Sequence, residues 1–174
     1  GKVGLFPGRR DLILVDPSEV IGGGINIYAS DDESNPFKKL TAARKDMVAA
    51  YKDALSRARD IDKISLFEGH IDQKILGSGT YQWQSDLIVD DDFTLNGTDK
   101  DIWIFKIDQD LNVMANAHLK LTGGAIAKNV YWQVSGNANL GENVYFSGTI
   151  LAQQYVEMKK NCILEKLLKN VIMK

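Results

Sequence analysis

Leu87-Ile88-Val89, Leu111-Asn112-Val113, Ala138-Asn139-Leu140, Val156-Glu157-Met158 and Val171-Ile172-Met173 repeat one pattern, an apolar residue on either side of a variable one. Their middle residues recur after 24, 27, 18 and 15 positions. In an extended chain successive side chains point to opposite faces, so each triplet turns its flanks one way and its centre the other. Stacked as coils of an irregular β-helix, the flanks would fill an interior and the centres would form an outward column. Antiparallel strands of a sandwich or barrel could carry the same triplets, and the loose period leaves those architectures open.

Outward from the ladder, further short apolar runs lie at Phe93-Thr94-Leu95, Ile102 to Ile107, Leu119-Lys120-Leu121, Val130 to Val134, Val144-Tyr145-Phe146 and Thr149 to Ala152. Turn residues such as Asn96-Gly97, Gly123-Gly124 and Gly141-Glu142-Asn143 bound them. The N-terminal half changes period. Leu40, Ala43, Met47, Ala50, Tyr51, Ala54 and Ala58 fall three or four apart, with Lys38, Lys39, Arg44, Lys45, Lys52 and Arg57 between them, which predicts one amphipathic helix over about 36–58. The polar run Ser30 to Asn35 ends at Pro36, a residue that disfavours helix before it and can open one after it. Solenoid strands are expected over 1–30 and 75–174, in a single domain spanning 1–174.

Composition narrows the function. The 174 residues carry 21 Lys plus Arg against 23 Asp plus Glu, a net charge of -2, which argues against a nucleic-acid binder held by bulk charge. Two histidines, His70 and His118, and one cysteine, Cys162, make both a zinc centre and nucleophilic catalysis unpromising. No stretch approaches the roughly 20 apolar residues of a membrane span, and Gly1 to Gly8 lack the charged and apolar regions of a signal peptide.

Leu119-Lys120-Leu121-Thr122-Gly123-Gly124-Ala125-Ile126-Ala127-Lys128-Asn129-Val130-Tyr131-Trp132-Gln133-Val134 closely resembles a signature of the microbial ice-binding-like family. Other elements resemble that family in the same order: Gly4 to Gly8, Ala49-Ala50-Tyr51, Tyr81-Gln82-Trp83, Thr94 to Gly97, Ile102 to Ile107, and Phe146 to Ala152. The resemblance implies a mainly β fold, an irregular right-handed β-solenoid of triangular cross-section with one long α-helix packed alongside. It also implies secretion, no enzymatic activity, no cofactor or metal, and adsorption to ice through a flat β-face. Three stretches depart from the family pattern. A further extended segment usually precedes the position of Gly1, Gly77-Ser78-Gly79 stands where Pro-Gly is common, and Asn161 to Lys174 carries Glu165, Lys166 and Lys169 in place of small residues.

The resemblance places the binding face at the triplet centres, Ile88, Asn112, Asn139, Glu157 and Ile172, with Leu14 of Leu12-Ile13-Leu14 as a sixth position. Active relatives carry Thr, Ser or Ala there, and none of these six is threonine. Glu157 would raise a hydrated carboxylate from the plane, while Leu14, Ile88 and Ile172 are bulky. Two expectations follow: adsorption to ice, weakened or lost by these replacements, or a non-enzymatic scaffold whose altered face serves adhesion to a protein or cell surface, self-association or a surface layer.

Other motifs yield less. Asp90-Asp91-Asp92 has a calcium-loop look, with Gly97 five positions after Asp92, but the twelfth position counted from Asp92 is Trp103 where a bidentate Glu belongs, so a solvated turn is expected. Gly22-Gly23-Gly24 lacks the spacing of a phosphate loop. Asp108 and Asp110 flank Gln109 in a turn without any sign of a pocket. His70 and His118 are expected as surface or hydrogen-bonded histidines, and Trp83, Trp103 and Trp132 as core. Asn96-Gly97-Thr98 is a glycosylation sequon on a turn.

Overall fold

The structure is a computed structural model, and it describes residues 3–5, 27–29 and 37–170. Two short strands, β1 (Val3–Leu5) and β2 (Ile27–Ala29), pair in parallel ahead of one helix, α1 (Phe37–Ser56). Twelve strands follow: β3 (Ile75–Leu76), β4 (Gly79–Trp83), β5 (Leu87–Val89), β6 (Phe93–Asn96), β7 (Trp103–Ile107), β8 (Leu111–Val113), β9 (Leu119–Thr122), β10 (Val130–Val134), β11 (Ala138–Leu140), β12 (Tyr145–Ala152), β13 (Val156–Met158) and β14 (Ile163–Asn170).

These twelve strands sort into three sheets. The first runs β14-β12-β10-β7-β4, the second β13-β11-β8-β5 and the third β3-β6-β9. Every pairing is parallel, which removes the antiparallel sandwich or barrel. From β3 to β11 the strands visit the three sheets in turn, each circuit one coil of a triangular solenoid, and from β11 to β14 they alternate between the four-stranded and five-stranded sheets. Ile88 pairs with Asn112, Asn112 with Asn139, and Asn139 with Glu157, the register that the 24, 27 and 18 residue steps imply.

The reason the coils stack is visible inside them. Leu87, Val89, Leu111, Val113, Ala138 and Leu140 are all buried, as are Trp83, Trp103 and Trp132. Tyr81, Phe105 and Trp132 occupy matching register positions, with ring centroids 5.2 Å apart for Tyr81–Phe105 and 4.0 Å for Phe105–Trp132. Each indole N–H finds a backbone carbonyl: Trp83 donates to Leu66, Trp103 to Leu76 and Trp132 to Ser147. The large apolar area is thus buried without stranding a donor.

The corners use stacked asparagines. Asn116, Asn143 and Asn161 all have positive φ, a conformation asparagine tolerates. Their side chains bond one another, Asn143 Nδ2 to Asn116 Oδ1 at 3.1 Å and Asn161 Nδ2 to Asn143 Oδ1 at 3.0 Å.

Some boundaries differ from expectation. Helix α1 stops at Ser56, and Ala58 lies beyond it and is exposed, because Lys106 Nζ donates to the carbonyls of Leu55 and Arg57 and closes the helix end. Met47, Tyr51 and Ala54 of the expected stripe are buried. Val144 to Phe146 and Thr149 to Ala152 are not separate runs; Tyr145–Ala152 is one strand that passes through Gly148 at φ +115°. Strand β14, with Glu165, Lys166 and Lys169, pairs along its whole length with β12. The triplets at Leu12–Leu14 and Val171–Met173 lie outside the described residues.

Candidate functional site

The three faces are not equivalent. Helix α1 lies over β7, β10 and β12 of the five-stranded sheet. Outward residues of that sheet are consequently buried: Lys106, Gln133 and Leu151, the last packed on Met47 and Tyr51. Tyr51 accepts from Gln133 Nε2 at 2.9 Å and donates to Gln153 Oε1 at 3.2 Å, which fastens the helix to the sheet. This face has no free plane to offer.

The three-stranded sheet β3-β6-β9 is exposed but short and mixed. Ile75, Thr94 and Lys120 align across it, with Asn96 and Thr122 beside them joined by a 3.1 Å hydrogen bond. On its margin Asp92 accepts from the His118 backbone and ring and from Lys120 Nζ, and these bonds, led by that to Lys120, hold its carboxyl below the usual value.

The four-stranded sheet is the bare, regular one. Its triplet flanks point inward, while Ile88, Asn112 and Asn139 are half-buried and Glu157 is exposed. The outward register that places these four side chains in one column is therefore present. Neighbouring rungs of such a sheet lie about 4.7–4.9 Å apart. Asn139 Nδ2 donates to Asn112 Oδ1 at 2.8 Å, so the two central amides form one rigid pair. Leu14 and Ile172 fall outside the described residues.

The column has one further member that sequence reasoning missed. His70 forms a parallel bridge with Ile88, which adds a rung before β5. The signal was available, since the step from His70 to Ile88 equals the 18-residue step from Asn139 to Glu157. One margin of the face is a ladder of turns in which Asp110 N donates to Asp86 Oδ1 at 2.9 Å and Asn137 N donates to Asp110 Oδ1 at 2.7 Å. The other carries Asp90, Met114, Gly141 and Lys159. The plane is continuous in backbone and heterogeneous in side chains.

Among the described residues the chain is a parallel triangular solenoid with a lateral helix on one sheet and a sheet of stacked triplets beside it that the helix does not touch. This chain belongs to the Ice-binding-like family, whose profile matches residues 1–169. It is 36% identical over 161 residues to an ice-binding protein of Flavobacterium frigoris (strain PS1), covering 91% of this chain and 58% of that protein. It is 35% identical over 165 residues to an ice-binding protein of a Colwellia species, covering 91% of this chain and 63% of that protein. The chain thus spans about three-fifths of the length of these curated relatives.

Among solved structures, an ice-binding protein from an Arctic yeast, described for its antifreeze activity, superposes with a TM-score of 0.81 at 26% identity, covering 98% of this chain and 77% of that one. The family is one of non-enzymatic, ice-binding proteins, typically secreted. No described helix is long and apolar enough to cross a membrane.

Proposed function

We propose that this protein adsorbs to ice through the four-stranded sheet, outside the cell. The observation that carries this reading is the in-register outward column Ile88, Asn112, Asn139 and Glu157 on a sheet the helix leaves bare. Ice offers no net charge and no group to pocket, so recognition calls for a flat, rigid lattice of side chains at regular spacing. Stacked parallel strands supply that lattice in one direction. The Asn112–Asn139 pair supplies polar atoms held at fixed separation, and half-buried Ile88 adds an apolar patch.

The heterogeneity of the face sets the strength. Glu157 holds a hydrated charge at one end of the column, so adsorption is weaker than a uniform array of small residues would give. Partition of purified protein into a growing ice fraction tests the reading. Retention in the ice that is lost on Asn112→Lys, but kept on Thr94→Lys on the three-stranded sheet, supports it; exclusion of the unmodified protein from ice defeats it.

A second reading rests on Glu157, Tyr155 and Met114, all exposed on or beside this face. A mixed apolar and charged surface suits adhesion to a protein or cell-surface partner, or self-association. Concentration-dependent association measured by sedimentation, and abolished by Met114→Lys, would favour that reading over ice.

A further inference from the structure

Three metal-ligating side chains converge at the first rung of the four-stranded sheet, at the end of the column. His70 Nδ1 lies 3.4 Å from Asp90 Oδ2 and 3.7 Å from Asp72 Oδ2, and the donor atoms of the three residues all lie within 4.8 Å of one another. We propose that His70, Asp72 and Asp90 form a binding site for a divalent transition metal of the zinc class, which ties the first, incomplete coil to the coil of β5.

The positions of the donors are set by the fold rather than by chance rotamers. His70 is held by its bridge to Ile88, and Asp72 follows two residues later on the same coil. Asp72 Oδ1 accepts the backbone N–H groups of Asp90 and Asp91, so that oxygen is occupied and Oδ2 is left facing the imidazole. Asp90 sits one 18-residue coil beyond Asp72, on the next rung. The site therefore takes two ligands from one coil and one from the next.

Donor spacing identifies the ion class. Zinc bonds nitrogen and carboxylate oxygen at about 2.0–2.2 Å, so two ligands of a tetrahedral ion sit about 3.4 Å apart. The two measured separations from the imidazole, 3.4 and 3.7 Å, match that spacing. An imidazole nitrogen with two carboxylates also suits zinc, manganese or cobalt better than calcium or magnesium, which take oxygen ligands. Phe67, Glu68, His70, Asp72 and Lys74 line an open cleft of about 400 Å³ here, with room for water in the remaining coordination positions. The nearest cation lining that cleft, Lys74, is turned over the Phe67 ring, its Nζ 5.0 Å from the centroid. Two carboxylate oxygens and a ring nitrogen thus face one another at the mouth of this cleft.

Isothermal titration of chelator-treated protein with ZnCl2 tests the site. One zinc per chain, weakened at least tenfold by His70→Gln and by Asp90→Asn but not by Asp53→Asn on helix α1, is the expected result. Absence of uptake, or equal uptake by all three variants, overturns the site. Cobalt provides a reading that needs no variant. A strong visible d–d band on adding one equivalent of Co2+ to the unmodified protein supports tetrahedral ligation, and a spectrum unchanged from the aqueous ion overturns it.

Discussion

The Gln133 side-chain amide donates to the Tyr51 phenol oxygen at 2.9 Å, and this bond, spanning 82 residues of sequence, is the polar center of the contact between α1 and the five-stranded sheet. The Tyr51 hydroxyl donates its own hydrogen bond to Gln153 Oε1 at 3.2 Å, while Ser135 Oγ lies 3.3 Å from the same phenol oxygen. Tyr51→Phe keeps the ring and removes the hydroxyl, so the buried Gln133 amide keeps only Ser135 Oγ as acceptor and half-buried Gln153 loses this donor. The expected cost is about 1–2 kcal/mol. Thermal unfolding should show Tm lowered by roughly 2–8 °C for a chain of this size; an unchanged Tm would mean that water replaces the hydroxyl at no cost.

Lys106 closes the same helix from below. Its ammonium reaches the Leu55 carbonyl at 2.7 Å and the Arg57 carbonyl at 3.1 Å, and burial, followed by the nearby Arg59 charge, lowers its pKa. Lys106→Met relieves the burial of charge but strips two carbonyls of a donor. Because these effects oppose, global stability should fall by only about 1 kcal/mol. The local effect is larger: amide exchange in the last turn of α1 should quicken while β7 and β10 stay protected.

Gly148 allows β12 to run unbroken from the corner beside His118 into the helix-covered sheet. At φ +115° an added Cβ would lie 2.8 Å from the Val130 carbonyl oxygen and 2.9 Å from Trp132 Nε1. Gly148→Ala meets both backbone strain and overpacking, for an expected loss of roughly 2–5 kcal/mol. A denaturant midpoint equal to that of the unmodified protein would contradict this geometry.

Asp101 predicts an acid-sensitive turn. Its carboxylate accepts from Thr98 N at 2.7 Å, Thr98 Oγ1 at 2.9 Å and Ser78 Oγ at 3.1 Å, and these bonds, the backbone one first, lower its pKa from 3.8. A carboxyl whose folded value is depressed stabilises the fold at pH above its unfolded value, and that contribution fades as pH falls through the folded value. Asp101→Asn should therefore be less stable than the unmodified protein at neutral pH, and the gap should close as urea midpoints are followed below about pH 4. A gap independent of pH would show that the charge plays no part.

The triplets made the four-stranded sheet legible because each carries its own inside-outside code, and a step between centres equals one coil. Residues without apolar flanks carry no such code. His70 sits one coil before Ile88, and Asn116, Asn143 and Asn161 stack at one corner, yet only a known coil length relates them. Likewise His70 alone reads as a surface histidine and Asp90 as part of a solvated turn, and neither reading joins them to Asp72. Strand β14 falls within the expected solenoid strands: Glu165, Lys166 and Lys169 stand where small residues are common, while pairing to β12 through the backbone does not depend on side-chain polarity.

The proposed ice face yields the most direct prediction from the column itself. Ile88, Asn112, Asn139 and Glu157 share one register, so a substitution at any of them changes the outward lattice without touching the inward flanks. Glu157 is exposed and its strand β13 lies at the sheet edge, so Glu157→Thr costs little packing. That change removes a hydrated carboxylate and adds a hydroxyl and methyl of the size an ice lattice accommodates. Thermal hysteresis and retention in ice should both rise in Glu157→Thr, and rise further with Ile88→Thr, while Tm stays within a few degrees. If adsorption rises equally with Lys120→Thr on the three-stranded sheet, loss of surface charge rather than the column accounts for the gain, and the face is misassigned.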